Sequence, residues 1–151
     1  MSAYLVTGGG GFIGSAVVRE LLRRGAEVRV VDNFLTGRRE NLAEIIHQVE
    51  LREVDITDPE RLRPVFKGVD YVLHLAALPS VPRSIEDPIS SNRVNVDGTL
   101  NVLWAARDAG VRRVVYAASS SAYGDTPSLP KREDMRPDPI SPYGVTKLTG
   151  E

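Results

Sequence analysis

The chain has 151 residues, 42% hydrophobic and 26% charged, with a formal net charge of −1. That balance fits one globular domain with a real core and gives no electrostatic case for nucleic acid or an anionic membrane. The absence of cysteine excludes disulfides, a thiolate nucleophile and Cys-ligated zinc, and the isolated His47 and His74 do not make a metal site.

The N-terminus carries the most informative stretch. Tyr4 to Val6 is an apolar run that reads as a buried strand, and Gly8, Gly11 and Gly14 follow at TGxxGxxG spacing. Phe12 to Arg24 then reads as a helix that turns Ile13, Ala16, Val17, Leu21 and Leu22 inward, with Gly25 as its left-handed cap. A strand, a glycine loop and a helix bring backbone close to a pyrophosphate. The first glycine permits the tight turn, and the second leaves room for phosphate oxygens. The third lets the helix sit close, so that its N-terminal N–H groups and dipole face the anion. Such a glycine pattern also makes ordinary turns. Here its neighbours on both sides fit a nucleotide site, and no stretch resembles a signal peptide or a membrane span, so a cytoplasmic protein is expected.

Glu27 to Val31 is a second strand, and Asp32 lies at its end, eighteen residues past Gly14. A dinucleotide fold places there the carboxylate that accepts from the adenosine ribose hydroxyls. Its charge would repel a 2′-phosphate and so favours NAD over NADP. Arg38 and Arg39 argue mildly the other way, and capping a turn is the plainer role for a strand-end Asp. Asn33 to Gly37 is a loop, Arg39 to Gln48 a short helix, and Val49 to Val54 a third strand closed by Asp55-Ile56. Asp58-Pro59 reads as an N-cap with Pro at the first helical position, opening a helix that Pro64 keeps brief.

Val69 to Leu75 is a fourth strand, followed by Leu75-Ala-Ala77. Small residues there let a cofactor cross the strand end, or let a helix pack closely. His74, inside the strand pattern, is expected to be a hydrogen-bonded core residue. The prolines Pro79, Pro82 and Pro88 make Leu78 to Asp87 a shaped loop rather than a helix. A helix follows from about Ser90 to Ala109, with Val96, Leu100, Leu103 and Trp104 on one face and Gly110 as its cap. Trp104 suits the core or a subunit interface. Arg113 to Ala118 is a fifth strand that runs into Ser119-Ser-Ser-Ala-Tyr-Gly124. Asp125 to Ile140, with four prolines, reads as an ordered surface loop, and Ser141-Pro142 opens a last helix reaching Glu151.

Alternating strands and helices predict an α/β Rossmann-type doubly wound parallel sheet, in order 3-2-1-4-5, with ligands at the carboxyl ends of its strands. Residues 1–151 are expected to form one NAD-binding Rossmann domain, with the substrate-binding part absent from this chain. The final helix has barely completed two turns when the sequence stops, so an N-terminal portion of a longer protein is expected. A sheet without its later strands would leave apolar surface exposed.

The second constellation is Ser119 with Tyr143-Gly-Val-Thr-Lys147. Tyr143 and Lys147, four residues apart, share a helix face. Phenols are weak bases at neutral pH, and an adjacent ammonium favours the ionised form, as would a positively charged nicotinamide. Ser119, at the strand end, would hydrogen-bond the same oxygen and complete a site for taking a hydroxyl proton. A lone YxxxK occurs often by chance; the glycine loop and the serine 24 residues upstream give this one its weight.

Taken together, TGGGGFIG, Asp32-Asn33, HLAA, SSSAYG and YGVTK resemble the extended short-chain dehydrogenase/reductase family, the NAD-dependent epimerases and dehydratases of nucleotide sugars. The resemblance covers the whole chain. Within the family, Leu78 to Ser84 and YAASSSAYGD are most similar to UDP-hexose 4-epimerases, particularly those acting on N-acetylated sugars. It implies that Gly8, Gly11, Phe12, Ile13 and Gly14 surround the pyrophosphate of NAD. Asp32, Asn33 and Gly37 would hold the adenosine ribose side, with Asp55 and Ile56 flanking the adenine. Leu75, Ala76, Ala77 and Asn95 would contact the rest of the cofactor. Ser119, Tyr143 and Lys147 would be catalytic, with Tyr143 and Lys147 also touching NAD. Ser80, Ser119, Ser120, Ser121 and Tyr143 would meet a UDP-sugar.

Two departures from the family pattern bear on function. Many UDP-galactose 4-epimerases carry a lysine at the position of Pro79 that reaches the cofactor phosphates. Dehydratases of the family place Asp and Glu where Ser120 and Ser121 stand, which argues against dehydration here. The resemblance thus implies C4 epimerisation by transient oxidation, in a homodimer paired through the helices around Leu100 to Ala106 and from Pro142 onward. A nucleotide-sugar reductase of the same fold and a non-catalytic nucleotide-binding module are the alternatives.

Overall fold

The computed structural model describes residues 2–127 and 129–151. Five parallel strands form one sheet: β1 (Ala3–Thr7), β2 (Glu27–Asp32), β3 (Glu50–Glu53), β4 (Tyr71–His74) and β5 (Arg113–Tyr116), in the order β3-β2-β1-β4-β5. The chain winds outward from β1 to β3, then crosses to β4 and β5. Val6 is flanked by Val30 on one side and Leu73 on the other. The carboxyl ends of β1 and β4 therefore lie at the point where the winding reverses, and loops leaving them diverge to open a crevice.

Because strand side chains alternate, the sheet builds two cores. Leu5, Val31 and Val72 pack on one face with Leu62, Phe66, Val102, Ala105 and Ala106. Val6, Val28 and Val30 pack on the other with Val18 and Leu42. The first face is covered by α2 (Pro59–Leu62), a 3₁₀ turn over Arg63–Phe66 and α5 (Gly98–Asp108). The second is covered by α1 (Phe12–Arg23) and a 3₁₀ helix, Arg39–Gln48. Asp58 caps α2 by accepting from Arg61 N at 3.1 Å, and Gly25 takes φ +75° after α1, both as expected.

Three details differ from the sequence expectations. In α1 the buried positions are Gly14, Ser15 and Val18, whereas Ile13 is 64% exposed and Ala16 also faces out. The inward face of α1 therefore begins with glycine and serine. Leu78 to Asp87 is not all loop: α3 (Val81–Glu86) lies within it, with Ser80 as N-cap and Pro82 at its second position. Proline is tolerated there because first-turn N–H groups lack intrahelical partners. Finally, the long helix expected from Ser90 is three segments, namely α4 (Pro88–Asn92), a π turn over Arg93–Asp97, and α5.

The extra residue of a π turn rotates the faces of the helix beyond it. Small residues, Gly98, Thr99, Ala105 and Ala106, turn inward with Val102. A Cβ on Gly98 would lie 2.7 Å from the Ile56 side chain, so the helix sits tightly on the sheet. Leu100, Leu103 and Trp104 share a face as expected, but it is the outer one, and Trp104 is 52% exposed rather than core. The last helix, α6 (Pro142–Gly150), is capped by Ser141 Oγ, which accepts from Gly144 N at 3.0 Å. The loop between β5 and α6 forms a 3₁₀ turn over Ser120–Tyr123 and otherwise lacks regular elements; Ser128 within it lies outside the described residues.

Candidate active site

Along the carboxyl edge of the sheet runs an open cavity of about 460 Å³, walled by the glycine loop, the ends of β2, β4 and β5, and α6. The glycine loop is packed against its neighbours in a way only glycine permits. Gly8 has φ +72°, and a Cβ there would fall 2.7 Å from Ala76 N. A Cβ on Gly14 would fall 2.0 Å from the carbonyl oxygen of Gly8. The N-terminus of α1 is thus drawn onto the strand, with Gly11 as N-cap and no side chain covering its first turn. Free N–H groups and the positive end of the helix dipole face the cavity, an arrangement matched to an anion such as pyrophosphate.

Asp32 closes β2 and is 8% exposed. Its Oδ2 accepts from Gly10 N and its Oδ1 from Phe34 N, both at 2.8 Å, so the carboxylate ties the glycine loop to the loop after β2. A Cβ on Gly37 would approach both carboxylate oxygens at 3.0 Å, and its absence keeps the remaining lone pairs open. Arg39 does not neutralise this carboxylate: it stacks on Phe34 at 4.2 Å and pairs with Glu53. At the far end, Asp55 accepts from Thr57 N, Thr57 Oγ1 and Asn33 Nδ2, each at 2.8 Å. Burial pushes its carboxyl up, but these donors and the Arg93 charge outweigh burial and hold it below its ordinary value.

Gly8, Gly11, Phe12, Ile13, Gly14, Asp32, Asn33, Gly37, Asp55, Ile56, Leu75, Ala76 and Ala77 all line the cavity, as do Tyr143 and Lys147. Asn95 does not. It is 1% exposed, and its amide is used within the protein: Oδ1 accepts from Leu78 N at 2.7 Å, while Nδ2 donates to Leu78 O and Thr146 Oγ1, both at 3.1 Å. It stands behind the wall and shapes it. Ala117 and Ala118 also line the cavity. Sequence reasoning misses them, although Tyr116-Ala-Ala118 repeats the small-residue ending of Leu75-Ala-Ala77.

Tyr143 and Lys147 share the face of α6 that meets the cavity. Lys147 is 4% exposed, and its Nζ donates to Ala117 O at 2.9 Å. The ammonium lies 4.9 Å from the Tyr116 ring centroid and 5.9 Å from that of Tyr143. Burial pushes the Lys147 pKa down. Tyr116 is driven the other way, to about 12, by burial and by the Tyr143 and Glu151 charges, so Tyr116 stays a neutral phenol while Tyr143 faces the cavity.

Ser119 sits where β5 gives way to the 3₁₀ turn, and its Oγ accepts from Ser121 N at 3.2 Å. Gly144 brings this turn against α6, since a Cβ there would fall 2.6 Å from Ser121 O. Ser80 is exposed at the start of α3, with φ +95°, and its Oγ accepts from Arg83 N. Ser80, Ser119, Ser120 and Ser121 all lie outside the cavity lining. His74 is 1% exposed and fully bonded, with Nδ1 2.6 Å from Thr7 Oγ1 and Nε2 2.9 Å from Thr99 Oγ1. It is the hydrogen-bonded core residue that its place in the strand pattern leads one to expect.

The wall therefore fits a dinucleotide on its own terms: a cradle that a Cβ would fill, uncovered helix N–H groups, and a carboxylate placed for ribose hydroxyls. Comparison with known proteins agrees. The chain is 45% identical over 152 residues to the UDP-glucose 4-epimerase of Mycolicibacterium smegmatis, covering 97% of this chain and 48% of that protein. Among solved structures, it superposes on the UDP-N-acetylglucosamine 4-epimerase of Methanobrevibacter ruminantium in complex with UDP-N-acetylmuramic acid. The TM-score is 0.93 at 36% identity, over 99% of this chain and 48% of that one. A dehydratase is equally close in shape: DesIV, the dTDP-glucose 4,6-dehydratase of Streptomyces venezuelae, crystallised with NAD, gives 0.93 at 38% identity over 98% and 49%. The chain thus spans about half the length of the curated relatives it matches. A family profile described as the NAD dependent epimerase/dehydratase family matches residues 4–151. This chain, which carries a glycine cradle, a strand-end carboxylate and a Tyr-Lys helix, therefore belongs to the NAD-dependent epimerase/dehydratase family.

Proposed function

We propose that the full protein is a UDP-hexose 4-epimerase, acting on UDP-glucose and UDP-galactose or their N-acetyl forms, with this chain as its NAD-binding part. The observation that carries the reading is the buried Lys147 ammonium held 5.9 Å from the Tyr143 ring, on one helix face at the edge of a glycine-cradled cavity. Gly8, Gly11 and Gly14 would hold the pyrophosphate of NAD, Asp32 its adenosine ribose, and Asp55 with Ile56 its adenine. When bound, NAD would supply the hydride acceptor and donor for sugar C4.

The chain's own residues manage the proton. Tyr143, as phenolate, takes the proton of the sugar 4-hydroxyl, and Ser119 Oγ hydrogen-bonds the same oxygen. Ala117 O accepts from Lys147 Nζ and holds the ammonium beside the Tyr143 ring. After the 4-keto sugar turns over, Tyr143 returns the proton. The nearness of a dehydratase in shape raises elimination as a rival. Elimination needs an acid and a base beside the reacting carbons, and the residues after Ser119 are Ser120 and Ser121, which supports epimerisation instead. A net reductase of the same family is the second rival, and it would consume NADH in stoichiometric amounts.

The test is proton NMR of UDP-galactose and UDP-N-acetylgalactosamine incubated with NAD and the longest form of the protein. The expected result is appearance of the C4 epimer without accumulation of NADH. Tyr143→Phe is expected to lower turnover at least about a hundredfold while NAD stays bound. An active Tyr143→Phe variant, or a stoichiometric change in NADH, would overturn the reading.

A further inference from the structure

Resting on the epimerase reading, we infer that Ser84 is a positioning residue for Tyr143, fixing the tyrosine's backbone to the wall of the cofactor cavity. Tyr143 is the second residue of α6, where an amide N–H has no partner within the helix. Ser141 serves Gly144 and does not serve Tyr143. The partner comes instead from 59 residues upstream: Tyr143 N donates to Ser84 Oγ at 3.0 Å. Ser84 is wholly buried, and its own hydroxyl donates to Val81 O at 2.7 Å. With its proton committed there, the hydroxyl presents a fixed lone pair to Tyr143.

The other end of the same residue is gripped as well. Tyr143 O accepts from Thr146 Oγ1 at 2.8 Å, and Thr146 Oγ1 accepts from Asn95 Nδ2 at 3.1 Å. Asn95 in turn holds both N and O of Leu78, a residue of the cavity wall. Ser84 N donates to Ser80 O, at the turn directly after Leu78 and Pro79. Both ends of the Tyr143 backbone are therefore referenced to one segment, Leu78 to Ser84. That segment lies between the cavity wall and the tyrosine, and its non-glycine turn at Ser80, φ +95°, is held in a conformation that free chains avoid. The phenol is thereby registered to the cofactor wall and does not depend on α6 alone.

Misplacing a reacting group by about 1 Å can cost on the order of a hundredfold in rate, so loosening one of the two grips should cost turnover more than binding. In the full-length protein, Ser84→Ala is expected to lower kcat per bound NAD about tenfold, with KM for the UDP-sugar and NAD content within about twofold. Ser84→Thr, which keeps the hydroxyl, is expected to restore kcat to within about threefold. A Ser84→Ala variant with unchanged kcat per bound NAD would overturn the proposal, and so would parallel losses of NAD content, KM and thermal stability, which describe general loosening.

Amide hydrogen exchange supplies a readout that needs no turnover. With NAD bound, Ser84→Ala is expected to speed exchange at Tyr143 and throughout residues 144–147 by about tenfold or more. Acceleration at Tyr143 alone would mean Ser84 merely satisfies one N–H, and the proposal falls. If the unsubstituted protein shows no epimerisation, the functional reading fails, while the exchange result still decides whether Ser84 positions the Tyr143 turn.

Discussion

At Gly14 a methyl group has nowhere to go, because its position is 2.0 Å from the Gly8 carbonyl oxygen. Both atoms belong to backbone that the β1 ladder and α1 hold in place, so neither can yield cheaply. Gly25 offers the opposite case. No atom lies within 4 Å of a Cβ there, and only its φ of +75° opposes a side chain. The two substitutions separate crowding from backbone strain. Gly25→Ala is expected to cost about 1–2 kcal/mol of stability and to leave NAD binding unchanged. Gly14→Ala is expected to cost at least about 3 kcal/mol and to abolish NAD binding, because relief of the clash must lift α1 off the strand. Urea unfolding and an NAD titration on the two variants check this. Equal stability losses would mean that the loop, and not the close approach, sets the cradle.

At the scale of elements, His74 links β1, β4 and α5 through Thr7 and Thr99. Thr99 Oγ1 donates to Asn95 O at 2.6 Å, so it must accept from His74 Nε2, which leaves Nδ1 to accept from Thr7 Oγ1. The imidazole is therefore neutral and fully satisfied, with no place for a second ring proton. Burial pushes its pKa down from 6.5 to about 4, helped by the Lys147 charge. Since the unfolded chain protonates His74 first, the stabilisation is complete above pH 6.5 and is lost as pH falls from there toward 4. The loss totals roughly 3 kcal/mol at about 1.4 kcal/mol per pH unit. Denaturant unfolding from about pH 7.5 down to about pH 4 is expected to show this slope, and His74→Asn to flatten it. An identical slope in the variant would assign the effect elsewhere.

These elements also show what a sequence can and cannot encode locally. The glycine cradle, Asp32, and the Tyr143–Lys147 face depend on spacing within one or two adjacent elements, and spacing is visible in a sequence. The structure brings all of them to one cavity. The π turn over Arg93–Asp97 has no such signature; Asn95 within it is buried, and Trp104 beyond it is 52% exposed. The grips of Ser84 and Asn95 on the Tyr143 turn join residues 59 and 51 positions apart. Pairings of that length exist only once the sheet has brought the helices together. The resemblance implies Asn95 as a cofactor contact; in the structure its amide serves Leu78 and Thr146.

For the molecule as a whole, the outer face of α5 raises the question of what covers it. Leu100 is 60%, Leu103 42% and Trp104 52% exposed along one helix face, with the Arg63 guanidinium 6.0 Å from the Trp104 ring. On α6, Val145 is 49% exposed as well. Contiguous apolar surface of this kind marks an interaction site, and a helix face meeting its own copy across a twofold axis is the simplest closed arrangement. We propose that the protein dimerises there. Trp104→Glu tests this, because it places a charge at the centre of the helix face. In sedimentation of the full-length protein, the substitution is expected to weaken the dimer at least about thirtyfold, as for loss of a central aromatic anchor worth about 2 kcal/mol, with NAD binding retained. A dimer indifferent to Trp104→Glu would remove α5 from the interface.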